Sequence, residues 1–519
     1  SAAQRPIGST CLPSKPSRPT RASVANEIQV TYTGIIANKA QFDAGTVRPL
    51  AVASAPAPPP VAGYLPASRQ PTGGGAQRMV LGADVSAEWW ALLGSRGLNN
   101  LIQRGLDQNA DIKAQEAAIR AAQAMALAQR GALFPTVDAN YNFTRQKVPT
   151  QSRSSDASTG ASLYSVHTAQ LSVGFVPDVF GGTRRLIEVA NAQVEIEQIR
   201  RQAAILTVTS SIALAAIQEA SFREQIAVTR RLVDAQEQVL NLLKRQESVG
   251  QIGSQDVVAQ ETAVAQAKLL LPPLERQMNQ QRNLLAVLTG AFPSNYSFNE
   301  FDLKAFKLPR DLPVSLPADL VRQRPDILVA EAGVHVVNAQ VGIAIANRLP
   351  QIKIAGNVGS AALAFSTLFA GGTAFWTVAG DVVQPIFDGF SLYYKQKAAE
   401  EALVQAVEQY RGVVLVAFQN VADTLVALEA DNKAVIAAAA AERAAARSIQ
   451  LLRNQLDQGQ ISLPNLLVAQ QAYLQTSLAR VQAEASRLAN TVALFQALGG
   501  GWWKQEVAMA SAHPHEEKR

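Results

Sequence analysis

The chain has 519 residues, too many for one ordinary domain, so either several cores or one very extended architecture must absorb it. Aromatic residues make up 6% and the formal charge of +6 is spread without a Lys/Arg block, a composition that suits long helices packed side by side and gives no nucleic-acid groove. One cysteine, Cys11, excludes an internal disulfide and any Cys-cluster metal site.

Residues 1–88 are rich in Pro, Ala and Gly, with Ala55-Pro56-Ala57-Pro58-Pro59-Pro60 and Gly73-Gly74-Gly75, and read as an extended or disordered N-terminal arm. Cys11 within it is either a lipid-anchor site or an incidental thiol. The preceding Ile7-Gly8-Ser9-Thr10 places Thr where a lipoprotein cleavage box has a small residue. No charged-then-apolar signal pattern opens the chain, and no run of about 18 consecutive apolar residues occurs, so any membrane crossing is expected to use strands.

From Trp89-Trp90 onward the pattern becomes helical, interrupted by short alternating stretches. Helices are predicted over 98–132, 183–248, 255–289, 325–347, 391–456 and 464–497. The two longest would each extend about 100 Å at 1.5 Å per residue. After Pro135, the residues Val137, Ala139, Tyr141 and Phe143 alternate with Thr136, Asp138, Asn140 and Asn142; Ala169, Leu171, Val173 and Phe175 alternate with Thr168, Gln170, Ser172 and Gly174. The pattern returns after Pro350, with Ile352 and Ile354 in one strand and Trp376, Val378 and Val382 against Thr377, Ala379 and Asp381 in the next. The reading is four strands in two hairpins, each with one apolar and one polar face. Strands of that length and patterning suit a transmembrane barrel, yet four cannot close one. Open edges are not tolerated in lipid, so several chains must share the barrel.

Seven-residue spacing in Val407, Val414, Val421 and Leu428, and in Ile226, Val233 and Leu240, favours supercoiled helix pairs; Glu219 interrupts the earlier seam. Pro135 and Pro350 stand 215 residues apart, Phe180 and Phe387 stand 207 apart, and Gly250 and Gly459 stand 209 apart, the mark of an internal duplication. The expected division is therefore a first repeat over 89–305 with its hairpin at 135–180, a second over 306–503 with its hairpin at 350–387, and a disordered tail over 504–519.

Between each long helix and its return lies a tight turn: Ser248-Val249-Gly250-Gln251-Ile252-Gly253-Ser254, and Asp457-Gln458-Gly459-Gln460-Ile461-Ser462. Glycine ends a helix cheaply because it accepts positive φ, and Ser254 or Ser462 is placed to cap the next helix. Arg324-Pro325-Asp326 reads as helix-start chemistry, with Pro in the first turn and Asp near the helix N-terminus. His335 lies in a helical segment without Cys, His or carboxylates at ligand spacing. No nucleophile-and-base arrangement is visible, so the chain does not read as an enzyme, and no cofactor or metal is expected.

Several phrases resemble the outer-membrane efflux protein family, in its TolC-like, OprM-type and NodT-like branches. They are Arg322-Gln323-Arg324-Pro325-Asp326-Ile327 with Ala330-Glu331, Asn338-Ala339-Gln340-Val341-Gly342 leading to Leu349-Pro350, Gln384-Pro385-Ile386-Phe387-Asp388-Gly389, and Ala497-Leu498-Gly499-Gly500-Gly501-Trp502. Together and in this order they are specific, and the resemblance covers about residues 89–503. It implies a mixed α/β membrane protein: a homotrimeric 12-stranded transmembrane β-barrel, four strands per protomer, continued by a long periplasmic α-helical barrel with an internal two-fold repeat. It also implies location in the outer membrane of a double-membraned bacterium, with most of the mass in the periplasm and outer-membrane lipid around the barrel. The expected function is the passive exit duct of a tripartite, RND-type pump for drugs or other small toxic compounds, served by an inner-membrane transporter and a periplasmic adaptor (membrane fusion) protein. Metal ions or small glycolipids are alternative cargoes, and a coiled-coil scaffold outside any membrane is the alternative class.

Carried onto this sequence, the resemblance assigns Val249, Gly250, Gln251, Gly459 and Gln460 to adaptor contact. Family members often narrow the tunnel with carboxylates just after the second turn. Here Asn465 and Val468 stand there instead, so amide or apolar side chains are the expected constriction. Asp256 keeps a carboxylate in the first half, where a helix N-terminus explains it equally well.

Overall fold

The computed structural model describes residues 77–81, 85–147, 163–295, 300–314, 321–458, 460 and 463–503, all within the unit Val61–Arg519. Cys11, Gly459, Ser462 and the 504–519 tail lie outside the described residues.

In chain order the elements are β1 (Arg78–Leu81), a 3-10 turn (Trp89–Leu93), α1 (Arg96–Gln108), α2 (Ala110–Gly131), β2 (Thr136–Lys147), β3 (Leu163–Phe175), α3 (Gly182–Ser248), α4 (Ser254–Leu269), α5 (Leu271–Leu288), β4 (Asp311–Val314), α6 (Pro325–Ala346), β5 (Gln351–Ala362), β6 (Ala374–Val383), α7 (Ser391–Asp457) and α8 (Leu463–Ala497). The helix expected over 98–132 is two helices, because Asn109 leaves helical geometry. Its side-chain oxygen accepts from the Asp111 and Ile112 amides at 2.8 and 3.3 Å, while its amide donates to the Leu288 carbonyl. The helix expected over 255–289 also divides, at Leu270. Pro272 and Pro273 open α5, and neither ring can donate the amide that a continuous helix would need.

Two strands escaped the sequence reading. β1 and β4 pair in parallel, Arg78 opposite Asp311 through Leu81 opposite Val314; four residues each are too few to reveal alternation. The arm expected to run to residue 88 therefore ends in ordered chain, with Val85 fully buried.

The four longer strands form one sheet in the order β2-β3-β5-β6, antiparallel throughout. Val137 lies opposite Val173, which lies opposite Gly356, which lies opposite Val378; one step along, Asp138, Ser172, Asn357 and Thr377 line up. The alternation read from the sequence is thus in register across all four strands. Because the strands run up, down, up, down, the two edges β2 and β6 are themselves antiparallel.

The long helices α3 and α7 have 67 residues each. Each starts just beyond the sheet at an aspartate: Asp178 accepts from the Thr183 and Arg184 amides at 3.0 and 2.9 Å, and Asp388 from the Leu392 amide at 2.7 Å. The main core gathers where α1, α3, α5 and α8 meet, with Trp89 stacked on Phe495 at 5.5 Å and Leu98, Ile102, Ile212, Ile217 and Leu285 fully buried. The closing glycines belong to it. At Gly501, φ is 76° and a Cβ would stand 2.5 Å from the Ser86 carbonyl, so only glycine lets the chain pass.

The heptad seams are real: Val421 and Leu428 are buried on α7, and Ile226 and Val233 on α3. Glu219 interrupts the seam as a buried carboxylate, but Arg223 and Arg282 reach its Oε1 at 2.8 and 3.0 Å and neutralise it. The expectation that no helix suits a membrane span needs correction on composition. Windows in Gly182–Ser248, Pro325–Ala346 and Ser391–Leu456 reach a mean hydropathy of 1.5 with few charges, because Ala, Val and Leu dominate even where polar residues break the run. Only 17% of that window in α6 is buried within the chain, and 22% in α7.

Candidate functional site

Three parts of the chain bear on what it can conduct and what it can touch: the two-faced sheet, the pair of helical turns at the far ends of α3 and α7, and the helix starts just beyond those turns.

On one face of the sheet stand Val137, Tyr141, Phe143, Leu171, Val358, Trp376, Val378 and Val382, all more than one-third exposed, with Trp376 at 77%. On the other stand Asp138, Asn140, Gln170, Ser172, Asn357, Thr377, Lys353 and Asp381. The Asn140 amide donates to Ser172 at 3.4 Å, and Lys353 lies directly opposite Asp381. One side is polar and carries a few charges and the other is suited to hydrocarbon, the requirement for a wall between water and lipid.

The first turn closes in a double bond pattern. The Gly250 amide donates to the Glu247 carbonyl at 2.9 Å and the Gln251 amide to the Gln246 carbonyl at 2.9 Å, with Gly250 at φ 72°. A side chain at Gly250 would meet open space, so its constraint here is backbone conformation rather than packing. At the second turn the Gln460 amide donates to the Gln455 carbonyl at the same spacing and 2.9 Å. Val249, Gly250, Gln251 and Gln460 are all exposed. The expected cap by Ser254 is absent: the N-cap of α4 is Gly253, with no side-chain bond, and Ser254 is the first helical residue.

The two turns sit together. Leu243 and Val257 of the first hairpin are buried in a small cluster with Val239, Leu240 and Ile252, and with Leu456 and Leu467 of the second. Sequence reasoning singled out the glycines and amides and missed this apolar bridge. Its signal is the Gly-Gln-Ile phrase present in both turns, where the Ile was passed over.

Among the candidate constriction residues, Asn465 and Val468 project from the first turns of α8, both exposed, Val468 at 71%. Three residues apart, they share a helix face. Asp256 is half-buried in the first turn of α4, its amide donating to the Gly253 carbonyl at 3.2 Å. Arg324 does more than begin a helix. Its buried guanidinium donates to the Ala497 carbonyl at 2.8 Å and the Ala417 carbonyl at 3.4 Å and pairs with Asp326 at 2.6 Å, tying the end of α8 to the start of α6. His335 is exposed, and among the described residues no group of three or more His, Cys, Asp or Glu could hold a metal.

Asp178 and Arg480 are among the groups displaced from their usual titration. Partial burial pushes the Asp178 carboxyl up, but the Arg184 and Thr183 amides and the Arg184 guanidinium outweigh it and hold the group below its ordinary value. For Arg480, burial favours losing the proton, yet Glu484 at 2.8 Å and Glu442 at 2.6 Å raise it further.

Comparison with known proteins gives a consistent result. The family model described as "Outer membrane efflux protein" matches residues 101–291 and 316–500. The toluene efflux pump outer membrane protein TtgC of Pseudomonas putida is 31% identical over 429 residues, 82% of this chain and 87% of that protein. The pyoverdine export outer membrane protein OpmQ of Pseudomonas aeruginosa is 27% identical over 82% of this chain and 89% of its own length. Among solved structures, the outer-membrane channel OprN superposes with a TM-score of 0.76 at 22% identity, over 84% of this chain and 99% of that one.

Proposed function

The chain belongs to the outer membrane efflux protein family, and from that membership we propose that three copies close one barrel and act as the passive exit duct of a tripartite pump. The observation that carries the proposal is the four-stranded sheet with one polar and one apolar face and two antiparallel open edges, β2 and β6. An unpaired edge is forbidden in lipid, and the edge directions let β6 of one copy join β2 of the next without breaking the alternation. Twelve strands, four from each of three chains, continue into a tunnel of α3 to α8. The little-covered apolar windows of α6 and α7 supply the surface that neighbouring copies would bury.

The duct has no catalytic step, and energy comes from an inner-membrane transporter through a periplasmic adaptor. Val249, Gly250, Gln251, Gly459 and Gln460 present the adaptor contacts at the tip. Asp256, Asn465 and Val468 narrow the passage behind it, with an amide and a valine in place of a ring of carboxylates. The cargo class is small toxic compounds, in line with the toluene pump component among the relatives; metal ions and glycolipids are the competing classes. Cys11 is the candidate lipid anchor, and intact mass of the membrane-extracted chain decides whether it is acylated.

The test is removal of the chain followed by a panel of solvents, antibiotics, metal salts and a siderophore, with complementation by the intact chain. Accumulation of organic toxicants, restored on complementation, is the expected result. Sensitivity confined to metal salts would transfer the duct to metal export. A protein that remains monomeric in detergent and never conducts in planar lipid films would overturn the duct itself.

A further inference from the structure

The lipid-side face of the sheet has an uneven distribution of charge. Following the register, that face is made of the odd-numbered residues of β2 and β3 and the even-numbered residues of β5 and β6. Over these strands its only side chains charged at neutral pH are Arg145 and Lys147, both cationic and both at one end of β2. The opposite face holds Asp138, Lys353 and Asp381, so the absence of carboxylates on the lipid side is specific to that face.

Just below the two cations lies an aromatic group. The Tyr141 hydroxyl meets His167 Nδ1 at 2.8 Å, the Phe143 ring lies 4.7 Å from His167, and Phe365 packs edge-on against Tyr141 at 6.2 Å. Amphipathic aromatic rings collect where hydrocarbon gives way to headgroups. From Val137 to Arg145 the strand rises roughly 27 Å, or about 20 Å along the membrane normal after the usual tilt, close to the height of the apolar band of such barrels. A cation on the lipid side is costly at mid-membrane and nearly free at the interface, so this position fixes Arg145 and Lys147 at headgroup level. All the long helices leave the sheet at its other end, which places the pair at the outer leaflet.

Resting on the duct reading above, we propose that Arg145 and Lys147 form a docking site for the phosphate groups of an anionic outer-leaflet lipid, with Tyr141, Phe143 and Phe365 against its proximal apolar part. Arg145 offers a planar fork suited to two phosphate oxygens, and Lys147, two residues further out, supplies a second point charge. Three such pairs, one per copy, would ring the outer rim of the barrel and hold a collar of lipid at β2, the strand that must meet the neighbouring copy.

The experiment uses the full chain reconstituted in phosphatidylcholine nanodiscs doped with bisphosphorylated lipid A, and native mass spectrometry of the released oligomer. Wild type is expected to retain lipid A, and the double variant R145Q/K147Q to bind it roughly thirtyfold more weakly while keeping the same oligomer and conductance. K353Q, which removes a cation from the other face, should retain it like wild type. Equal retention by wild type and the double variant overturns the proposal. So does equal displacement of lipid A by millimolar inorganic phosphate, which would make the pair a site for free anions. A chain that fails to enter the discs at all overturns the duct reading on which this one stands.

Discussion

The two helical hairpins descend from one pattern yet are held by opposite means. In the first, a buried carboxylate, Glu219, lies between two guanidiniums, Arg223 and Arg282; in the second, a largely buried guanidinium, Arg480, lies between two carboxylates, Glu442 and Glu484. The return path in the first is broken at Leu270 and fastened to α3 by Arg230–Glu275, Lys268–Glu237 and Lys244–Glu261 pairs at 2.5 to 2.7 Å. In the second, α8 runs unbroken for 35 residues, and beyond Leu428 no described residue of α7 is buried within the chain. A duplicated scaffold can thus keep its geometry while the buried charge at its centre changes sign, and while the second long helix leaves its Ala-rich stretch beyond Leu428 uncovered within the chain.

Substitutions at the tips should have the largest consequence and bear equally on both hairpins. Valine or tryptophan at Gly250 or Gly459 should abolish efflux while oligomers persist on native gels; normal efflux in these variants would remove the tips from adaptor docking. Next in size, Glu219→Gln removes the carboxylate that Arg223 and Arg282 share, while Arg223 keeps its pair with Glu300, and should cost about 2 kcal/mol of local opening free energy by hydrogen exchange. Arg480→Gln, in a less buried cluster, should cost about half that, and an equal or larger loss would reverse the proposed ranking of the two hairpins. The helix starts can be compared similarly. Asp178 titrates below its ordinary value in the folded chain, so its contribution is complete above about pH 4 and disappears as pH falls through that lowered value. Asp178→Asn should remove about 1 kcal/mol at neutral pH and flatten the acid limb of a stability profile. Smallest, Lys244→Glu should cost less than about 1 kcal/mol, since both partners are half-exposed, and the loss should vanish in high salt or on pairing with Glu261→Lys.

Much of this architecture was legible because it is periodic. Alternation from Val137 to Phe143 and from Trp376 to Val382 fixed which face of each strand is wet, and the heptads at Val421 and Leu428 located a seam. What escaped was short or depended on a distant partner. Four-residue β1 and β4 show no period. Asn109 reads as an ordinary polar helix residue until the Leu288 carbonyl is brought to its amide. Arg324 could be read as part of a helix start, but not as the group that receives the end of α8 from a position 173 residues later. Pro272-Pro273 is the exception, a break visible in the sequence but masked by the strongly helical pattern on either side.

The unmatched borders of the β2-to-β6 sheet also govern how the protein must be made. In the proposed duct, a solitary copy delivered to a bilayer would carry two rows of bare amides and carbonyls into oil, which couples recruitment of sister copies to entry into the membrane. It follows that a truncated copy lacking one hairpin, made alongside the intact one, should poison the assemblies it joins and behave as a dominant inhibitor.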